Sequence, residues 1–413
     1  MPTIVKNCRI CGGDKFEEIM SLGDQALTGV FPANKEEVVT SGPVDLIRCS
    51  ETNGCGLVQL RQSYDLTEMY GSNYGYRSSL NASMVKHLHT KIDKILSLDL
   101  LKKGDLIIDI GSNDATSLKR YPQGDFRLVG IDPTGIKFSE YYPPEIKLIP
   151  EFFSADAVKK GTGGAKAKVI TSFSMFYDLE DPVGFSREIE GALDDDGIWI
   201  FEQSYLPAML ETNSFDTICH EHIDFYSLRQ IHIILKAADL KVIDVEFNDV
   251  NGGSFSVTAA KTTSTHQPNL KSIQVIDSKE KALGLEDSNA YKAFFDRVKS
   301  AQSEFMTFLI EAKERGDTVS GLGASTKGNV LLQYYGITQD LIKEIGEVNG
   351  DKFGCYTPGT LIPLIDEQSV LDSNPDYLVV LPWHFRKFFL SLPSLKGRKL
   401  VFPLPNFEIV EVK

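Results

Sequence analysis

The stretch Asp105-Leu106-Ile107-Ile108-Asp109-Ile110-Gly111-Ser112-Asn113-Asp114-Ala115 decides the fold of the central part of this chain. Its apolar run reads as a buried parallel strand, and the glycine that ends it opens a turn where a ligand can approach the backbone. About twenty residues on, Arg127-Leu128-Val129-Gly130-Ile131-Asp132 reads as a second strand with an acid at its carboxyl end. An acid in that place can take two ribose hydroxyls, as happens for both NAD and S-adenosylmethionine (SAM). The full Gly-x-Gly-x-x-Gly is missing, and with it the close cradle for a pyrophosphate, so SAM is the better fit. Gly111 and Asp132 are the residues this reading assigns to the cofactor.

Outward from that pair, helical spacing of Leu80, Met84, Leu88, Ile92, Ile95 and Leu96 predicts a helix ahead of the first strand. Ile146 to Ile149, Lys168 to Ser174 and Gly197 to Ser204 predict further strands. Two last runs, Lys241 to Phe247 and Ser254 to Ala259, flank Asn251-Gly252-Gly253 and predict an antiparallel pair closing the sheet.

After the strand Gly197 to Ser204 comes Thr217-Ile218-Cys219-His220-Glu221-His222-Ile223-Asp224-Phe225-Tyr226-Ser227, which holds two of the seven histidines. Ser227 is a suitable N-cap for the apolar-periodic helix that follows. The cluster therefore lies beyond the carboxyl end of a strand, where open α/β sheets place ligands. A buried, hydrogen-bonded polar loop explains it equally well by spacing alone. Zinc is a poorer explanation, because His220 and His222 lack the i, i+4 spacing of a helical metal pair.

Toward the amino terminus, Cys8-Arg9-Ile10-Cys11 is followed after 37 residues by Cys49 and Cys55, which have five residues between them. Two thiolate pairs suit tetrahedral zinc, and the short apolar runs between them are too little for a self-sufficient core. A redox Cys-x-x-Cys or free core thiols are the alternatives. Four sulfur ligands leave no open position, so such a zinc is structural. Met69 to Ser79 is rich in tyrosine, serine and glycine and reads as a pocket-lining or an ordinary loop.

Toward the carboxyl terminus, Lys261 to Ser278 is a polar boundary, and a helical run reaches Arg315. Thr318-Val319-Ser320-Gly321-Leu322-Gly323-Ala324-Ser325-Thr326-Lys327-Gly328 reads as strand, glycine turn and helix start. Its backbone N–H groups and Lys327 suit a phosphate. Strands at Ile342 to Val348, Leu361 to Ile365, Tyr377 to Leu381 and Lys399 to Pro403 would complete a second parallel sheet.

A net charge of −14 and a pI near 5.1 argue against a general binder of nucleic acid or of anionic membranes. No run of 18 apolar residues exists, and Met1 to Lys6 has no signal-peptide character, so the chain reads as cytoplasmic.

These motifs together resemble, nearly end to end, the zinc-containing, SAM-dependent C-methyltransferases of nucleotide-linked 4-keto-6-deoxy sugars (sugar C-3-methyltransferases). The resemblance rests on the paired cysteines, Tyr74-Gly75-Tyr76, Asp109-Ile110-Gly111-Ser112-Asn113-Asp114, His220-Glu221-His222, Gly252-Gly253-Ser254, and Gly321-x-Gly323-Ala324-x-x-Lys327-Gly328. It implies an α/β chain in three parts: a small zinc-binding module over 1–78, a Rossmann-like SAM domain over 79–265, and a Rossmann-like domain over 266–413 that helps hold the sugar nucleotide. It implies His222 as general base, with Glu221 and His220 orienting it or binding sugar hydroxyls, and Tyr177 or Tyr76 donating to an enolate oxygen. Asn113 and Asp114 join Gly111 and Asp132 at the cofactor; Cys219, Gly253, Ser254 and Lys327 fall to the substrate. The expected partner is the nucleotide-linked keto sugar, and the expected state a monomer or small homo-oligomer.

Three departures stand out. Five residues rather than two separate the second cysteine pair. Cys219 stands where the family often has tyrosine, and Tyr177 where relatives have histidine. The last two leave the substrate, and even the atom methylated, open. A sugar O-methyltransferase, an NAD oxidoreductase and a non-catalytic zinc-ribbon interaction protein are the rival readings.

Overall fold

The computed structural model describes residues 2–52, 54–65, 69 and 77–413. The first part is a small β module. Strand β1 (Thr3–Ile4) pairs with β5 (Gln62–Ser63), while β2 (Phe16–Ala26), β3 (Ser41–Cys49) and β4 (Val58–Leu60) form an antiparallel sheet. The helix Ala82–Ser97, capped by Asn81, then leads into the central sheet.

That sheet contains β6 (Leu106–Ile110), β7 (Arg127–Ile131), β8 (Ile146–Ile149), β9 (Ala167–Phe173) and β10 (Leu193–Ser204), all parallel. The next strand, β11 (Asp224–Phe225), leaves it and pairs antiparallel with β4 of the first module. β12 (Leu240–Asn248) and β13 (Ser254–Lys261) return to the central sheet, giving the order β12-β13-β10-β9-β6-β7-β8. β13 lies between β10 and β12 and is antiparallel to both, so the antiparallel pair predicted around Gly252-Gly253 closes the sheet with one reversed strand.

Both faces of this sheet are covered. Trp199, Phe201 and Phe255 pack on one side, and Ile198, Ile200 and Ile92 on the other, the alternation expected of a doubly covered sheet. The polar boundary expected over Lys261 to Ser278 contains the start of a helix, Leu270–Leu283, whose Ile273 and Ile276 join the core of the central sheet. Glu280 of the same helix accepts hydrogen bonds from Tyr205 and from the backbone of Leu228.

After the long helix Ser288–Arg315, the last part is a second sheet of order β16-β15-β14-β17-β18-β19. Its strands are β14 (Val319–Leu322), β15 (Ile345–Glu347), β16 (Leu364–Asp366), β17 (Tyr377–Val380), β18 (Lys399–Phe402) and β19 (Glu408–Glu411). All are parallel except β19, an antiparallel edge strand that went unread in the sequence. One apolar core runs from β2 and β4 through Phe215, Ile218 and Phe225 into this sheet, so the three parts pack as one body around the segment that joins β10 to β11. No helix among the described residues is long and apolar enough to cross a membrane.

Candidate active site and metal centre

The four amino-terminal cysteines converge. Cys8 Sγ lies 3.3 Å from Cys55 Sγ, Cys11 Sγ lies 3.6 Å from Cys49 Sγ, and all four sulfurs fall within 4.8 Å of one another. Those separations are close to the edges of a tetrahedron with metal–sulfur bonds of about 2.3 Å. The longer second loop folds back through a turn in which Gly54 N–H donates to Glu51 O. A Cβ on Gly54 would stand 2.8 Å from that carbonyl and 3.1 Å from Cys49 Sγ, so glycine is needed for this approach. The thiols also compete for protons. The Cys55 S–H and the backbone N–H groups of Cys11 and Ile10 push Cys8 down to about 5, and the same contact pushes Cys55 up. A thiolate already favoured within a closed sulfur set is the donor chemistry of structural zinc.

This knuckle also reaches the His-Glu-His loop. Arg9, between the first two cysteines, donates to Leu60 O and Ile223 O and pairs with Asp224 at 3.4 Å. Burial pushes the Asp224 carboxyl up to about 7, with Arg9 opposing the shift.

The loop is fastened at both ends. Ile223 N–H donates to Tyr177 O, Leu60 N–H donates to Ile223 O, and Ser227 with Gln230 forms a capping box that starts the helix Leu228–Ala237. Within it, His222 N–H donates to Cys219 O at 3.1 Å, a tight turn that sends the two histidines to different places. His222 Nδ1 lies 2.8 Å from Thr217 O, and its ring centroid is 4.3 Å from that of Tyr177. Only a protonated Nδ1 can bond a carbonyl, so neutral His222 keeps its lone pair on Nε2. Burial lowers its pKa to about 4, and Lys327 adds to the effect. His220 turns the other way. It is fully buried against Tyr64, centroids 4.5 Å apart, beside the carbonyls of Gly42 and Gln25 without a well-formed hydrogen bond.

Glu221 is half-buried, and burial pushes its carboxyl up to about 7. Gly29 of the first module approaches so closely that a Cβ there would stand 2.8 Å from Glu221 Oε1. Lys327 comes from the third part, in the first turn of the helix Thr326–Tyr335. Its amine is buried, donates to Asn251 O, and faces Asp216 and Cys219. All three parts of the chain thus meet around Glu221 and His222.

At the carboxyl end of β6, Gly111 has φ +69, and a Cβ there would stand 3.4 Å from Met175 beyond β9. The space over Gly111 is therefore a cradle that a side chain would fill, as a bound nucleoside requires. Asp132 Oδ2 accepts from Asn113 N–H at 2.8 Å, and Oδ1 accepts from Thr134 N–H and Oγ1 at 2.7 and 2.6 Å. These bonds fix the carboxylate, and each oxygen has more than one lone pair. Asn113 and Asp114 turn their side chains to the backbone of Ser78 and Ser79, tying the preceding segment to this turn.

Models of known families match along most of the chain: a zinc binding domain over residues 8–70, a methyltransferase domain over 84–245, and a C-methyltransferase C-terminal domain over 249–405. The chain is a SAM-dependent C-methyltransferase. It is 27% identical to the C-methyltransferase NovU of Streptomyces niveus over 419 aligned positions, 99% of this chain and 98% of that one. Among solved structures it is similar to the N-methyltransferase NodS from Bradyrhizobium japonicum WM9 (TM-score 0.32, 12% identity, 44% of this chain and 98% of that one). A second is magnesium protoporphyrin IX methyltransferase from Synechocystis PCC 6803 (TM-score 0.33, 12% identity, 47% and 91%).

In this C-methyltransferase, Glu221, His222, Cys219, Tyr177 and Lys327 share one site, and His220 stands outside it. Tyr76 lies outside the described residues. Gly253 has φ +120 and a Cβ there would meet Ala208 at 2.5 Å, while Ser254 Oγ donates to Val250 O. Both shape the turn whose Asn251 carbonyl receives Lys327. Lys327 itself points into the junction between the parts, with its amine on Asn251 O. Sequence reasoning passed over Asp216, Trp383 and His384. Trp383 Nε1 donates to Asp216 Oδ2 at 2.7 Å, and burial, aided by Lys327, pushes His384 well down. Pro382-Trp383-His384-Phe385, directly beyond β17, was the legible signal, since it puts a histidine and one of two tryptophans at a strand's carboxyl end.

Proposed function

We propose that this C-methyltransferase methylates the carbon next to the ketone, C-3, of a nucleotide-linked 4-keto-6-deoxyhexose, with His222 as general base. The observation that carries this reading is the His222 Nδ1 bond to Thr217 O, which leaves Nε2 unprotonated in a turn fastened on both sides. A proton α to a ketone needs a positioned base, and Nε2 takes it. Tyr177, its ring tilted against that of His222, and Tyr76 are the hydroxyls assigned to the enolate oxygen, where a donor lowers the barrier most. When bound, SAM supplies an electrophilic methyl group for the carbon that His222 has deprotonated; Gly111 and Asp132 are assigned to hold it. Gly253, Ser254 and Lys327 are assigned to the sugar nucleotide, with Lys327 as the cation on that side. Similarity to the C-methyltransferase NovU along nearly the whole of both chains supports carbon as the atom methylated.

One observation favours a second reading. The Glu221 carboxyl, raised to about 7, is a stronger base than His222 and stands in the same turn. Brønsted behaviour then favours Glu221, whereas the fixed tautomer favours His222. Mass spectrometry of products from SAM and dTDP-, GDP- and CDP-4-keto-6-deoxyhexoses tests the substrate class. A methyl group found on oxygen, or on none of these sugars, would refute it.

A further inference from the structure

The turn that separates the two histidines also assembles a ligand set. Cys219 Sγ, a Glu221 carboxylate oxygen and a His222 ring nitrogen all lie within 4.8 Å of one another. Spacing argued against a metal here because it paired His220 with His222. The structure leaves His220 out and puts a thiol in its place.

Three features make this more than proximity. Cys219-x-x-His222 is built like Cys8-x-x-Cys11: in both, the backbone N–H groups two and three residues on face the sulfur of the first cysteine. In both knuckles those N–H groups point at the sulfur that a metal ion would bind; at Cys219 they act against burial and Glu221, which push the thiol well up. The Nδ1 bond from His222 to Thr217 O is the outer-shell contact that fixes a ligating imidazole for coordination through Nε2. Among the described residues, the Glu221 carboxylate accepts no hydrogen bond, so its oxygens are available. A thiolate and a carboxylate neutralise a divalent ion. Lys327 opposes one, but its amine is held on Asn251 O and faces the Asp216 carboxyl.

We propose that Cys219, Glu221 and His222 form a second metal site, distinct from the four-cysteine centre, that takes a thiophilic divalent ion such as Zn2+ or Co2+ through three protein ligands. A fourth position stays open, the pattern of exchangeable rather than structural sites. Because the ion and the substrate proton both need His222 Nε2, metal binding at this site excludes proton abstraction; this consequence rests on His222 being the base, whereas the site itself does not.

The test uses the full chain with zinc already in its four-cysteine centre, titrated with Co2+ and followed by equilibrium dialysis, elemental analysis and near-ultraviolet absorption. The expected result is one further equivalent of cobalt with a thiolate-to-cobalt charge-transfer band. Cys219→Ser should abolish the band and weaken the second site by more than the roughly 10–100-fold that loss of an outer-shell partner costs. Glu221→Gln, which leaves the thiol in place, should weaken binding and keep the band. A wild-type chain that takes no second equivalent, or a second equivalent without a thiolate band, overturns the site. So does a second equivalent retained unchanged in Cys219→Ser. If cobalt binds as expected but methyl transfer continues unslowed, the metal site stands and His222 is not the base.

Discussion

Replacing His222 by Asn separates the two candidate bases most directly. The Asn amide can take over the donor role of Nδ1 toward Thr217 O, a bond of 2.8 Å, so the turn and its backbone link from Ile223 N–H to Tyr177 O are kept. What is lost is the Nε2 lone pair. Losing a general base costs about 10²–10⁴-fold in turnover, or about 2.7–5.4 kcal/mol at 1.36 kcal/mol per decade. Solvent-deuterium exchange at the carbon next to the ketone reads proton abstraction apart from methyl transfer, and should fall in parallel. The pH profile adds an independent reading. A base works only when unprotonated, so kcat/KM falls as pH drops below the pKa in the free enzyme. With His222 at about 4, the rate stays level from pH 8 to near pH 5. With Glu221 at about 7, only about a tenth of the base would be free at pH 6, and the rate would drop accordingly. His222→Asn exchanging at near the wild-type rate, with Glu221→Gln inactive and a limb near pH 7, would refute the assignment to His222.

Other consequences can be checked in the same way. Asp132→Ala should weaken SAM binding by roughly 2–4 kcal/mol through loss of charge-assisted bonds, and calorimetry showing unchanged affinity would place the ribose elsewhere. Cys11→Ser should lower the zinc content below one ion per chain and unfold the first module; a folded, metal-free variant would remove zinc from the account. Lys327→Ala should raise the Michaelis constant for the sugar nucleotide and leave SAM affinity alone, measured by initial rates and calorimetry. Arg9→Ala should lower turnover with zinc retained, because Arg9 holds Ile223 O and Asp224 beside the active turn; an unaltered rate would make that clamp purely structural.

The parts of this chain that were legible in its sequence are those governed by local periodicity. β6 and β7 are short apolar runs with a glycine or an acid at the end, and these signals need no partner strand to be read. The four cysteines are legible for a related reason: thiol spacing restricts what a short module can do, even with five residues in the second loop. β19 was missed because Glu408 to Glu411 alternates too briefly, and its pairing with β18 is a tertiary fact. The helix Leu270–Leu283 lay hidden in a polar stretch because Ile273 and Ile276 are its only buried apolar residues and its third buried position is Glu280.

The site shows the same division more sharply. His220, Glu221 and His222 are adjacent in sequence, and spacing treats the two histidines as equivalents. What distinguishes them is a single backbone hydrogen bond, His222 N–H to Cys219 O, which no residue pattern announces. Once that turn forms, His220 is buried beside Tyr64, and His222 faces Lys327. The turn is held by residues far away in the chain: Arg9 and Leu60 on one side, Tyr177 on the other, with Gly29 making room for Glu221. Arg9, Leu60 and Gly29 belong to the first module and Tyr177 to the central part, so the turn is held from two parts of the molecule. The cysteine module reaches this turn through Arg9, which sits between two of its sulfurs and bonds Ile223 O and Asp224, so the sulfurs can be structural while the segment between them touches the turn.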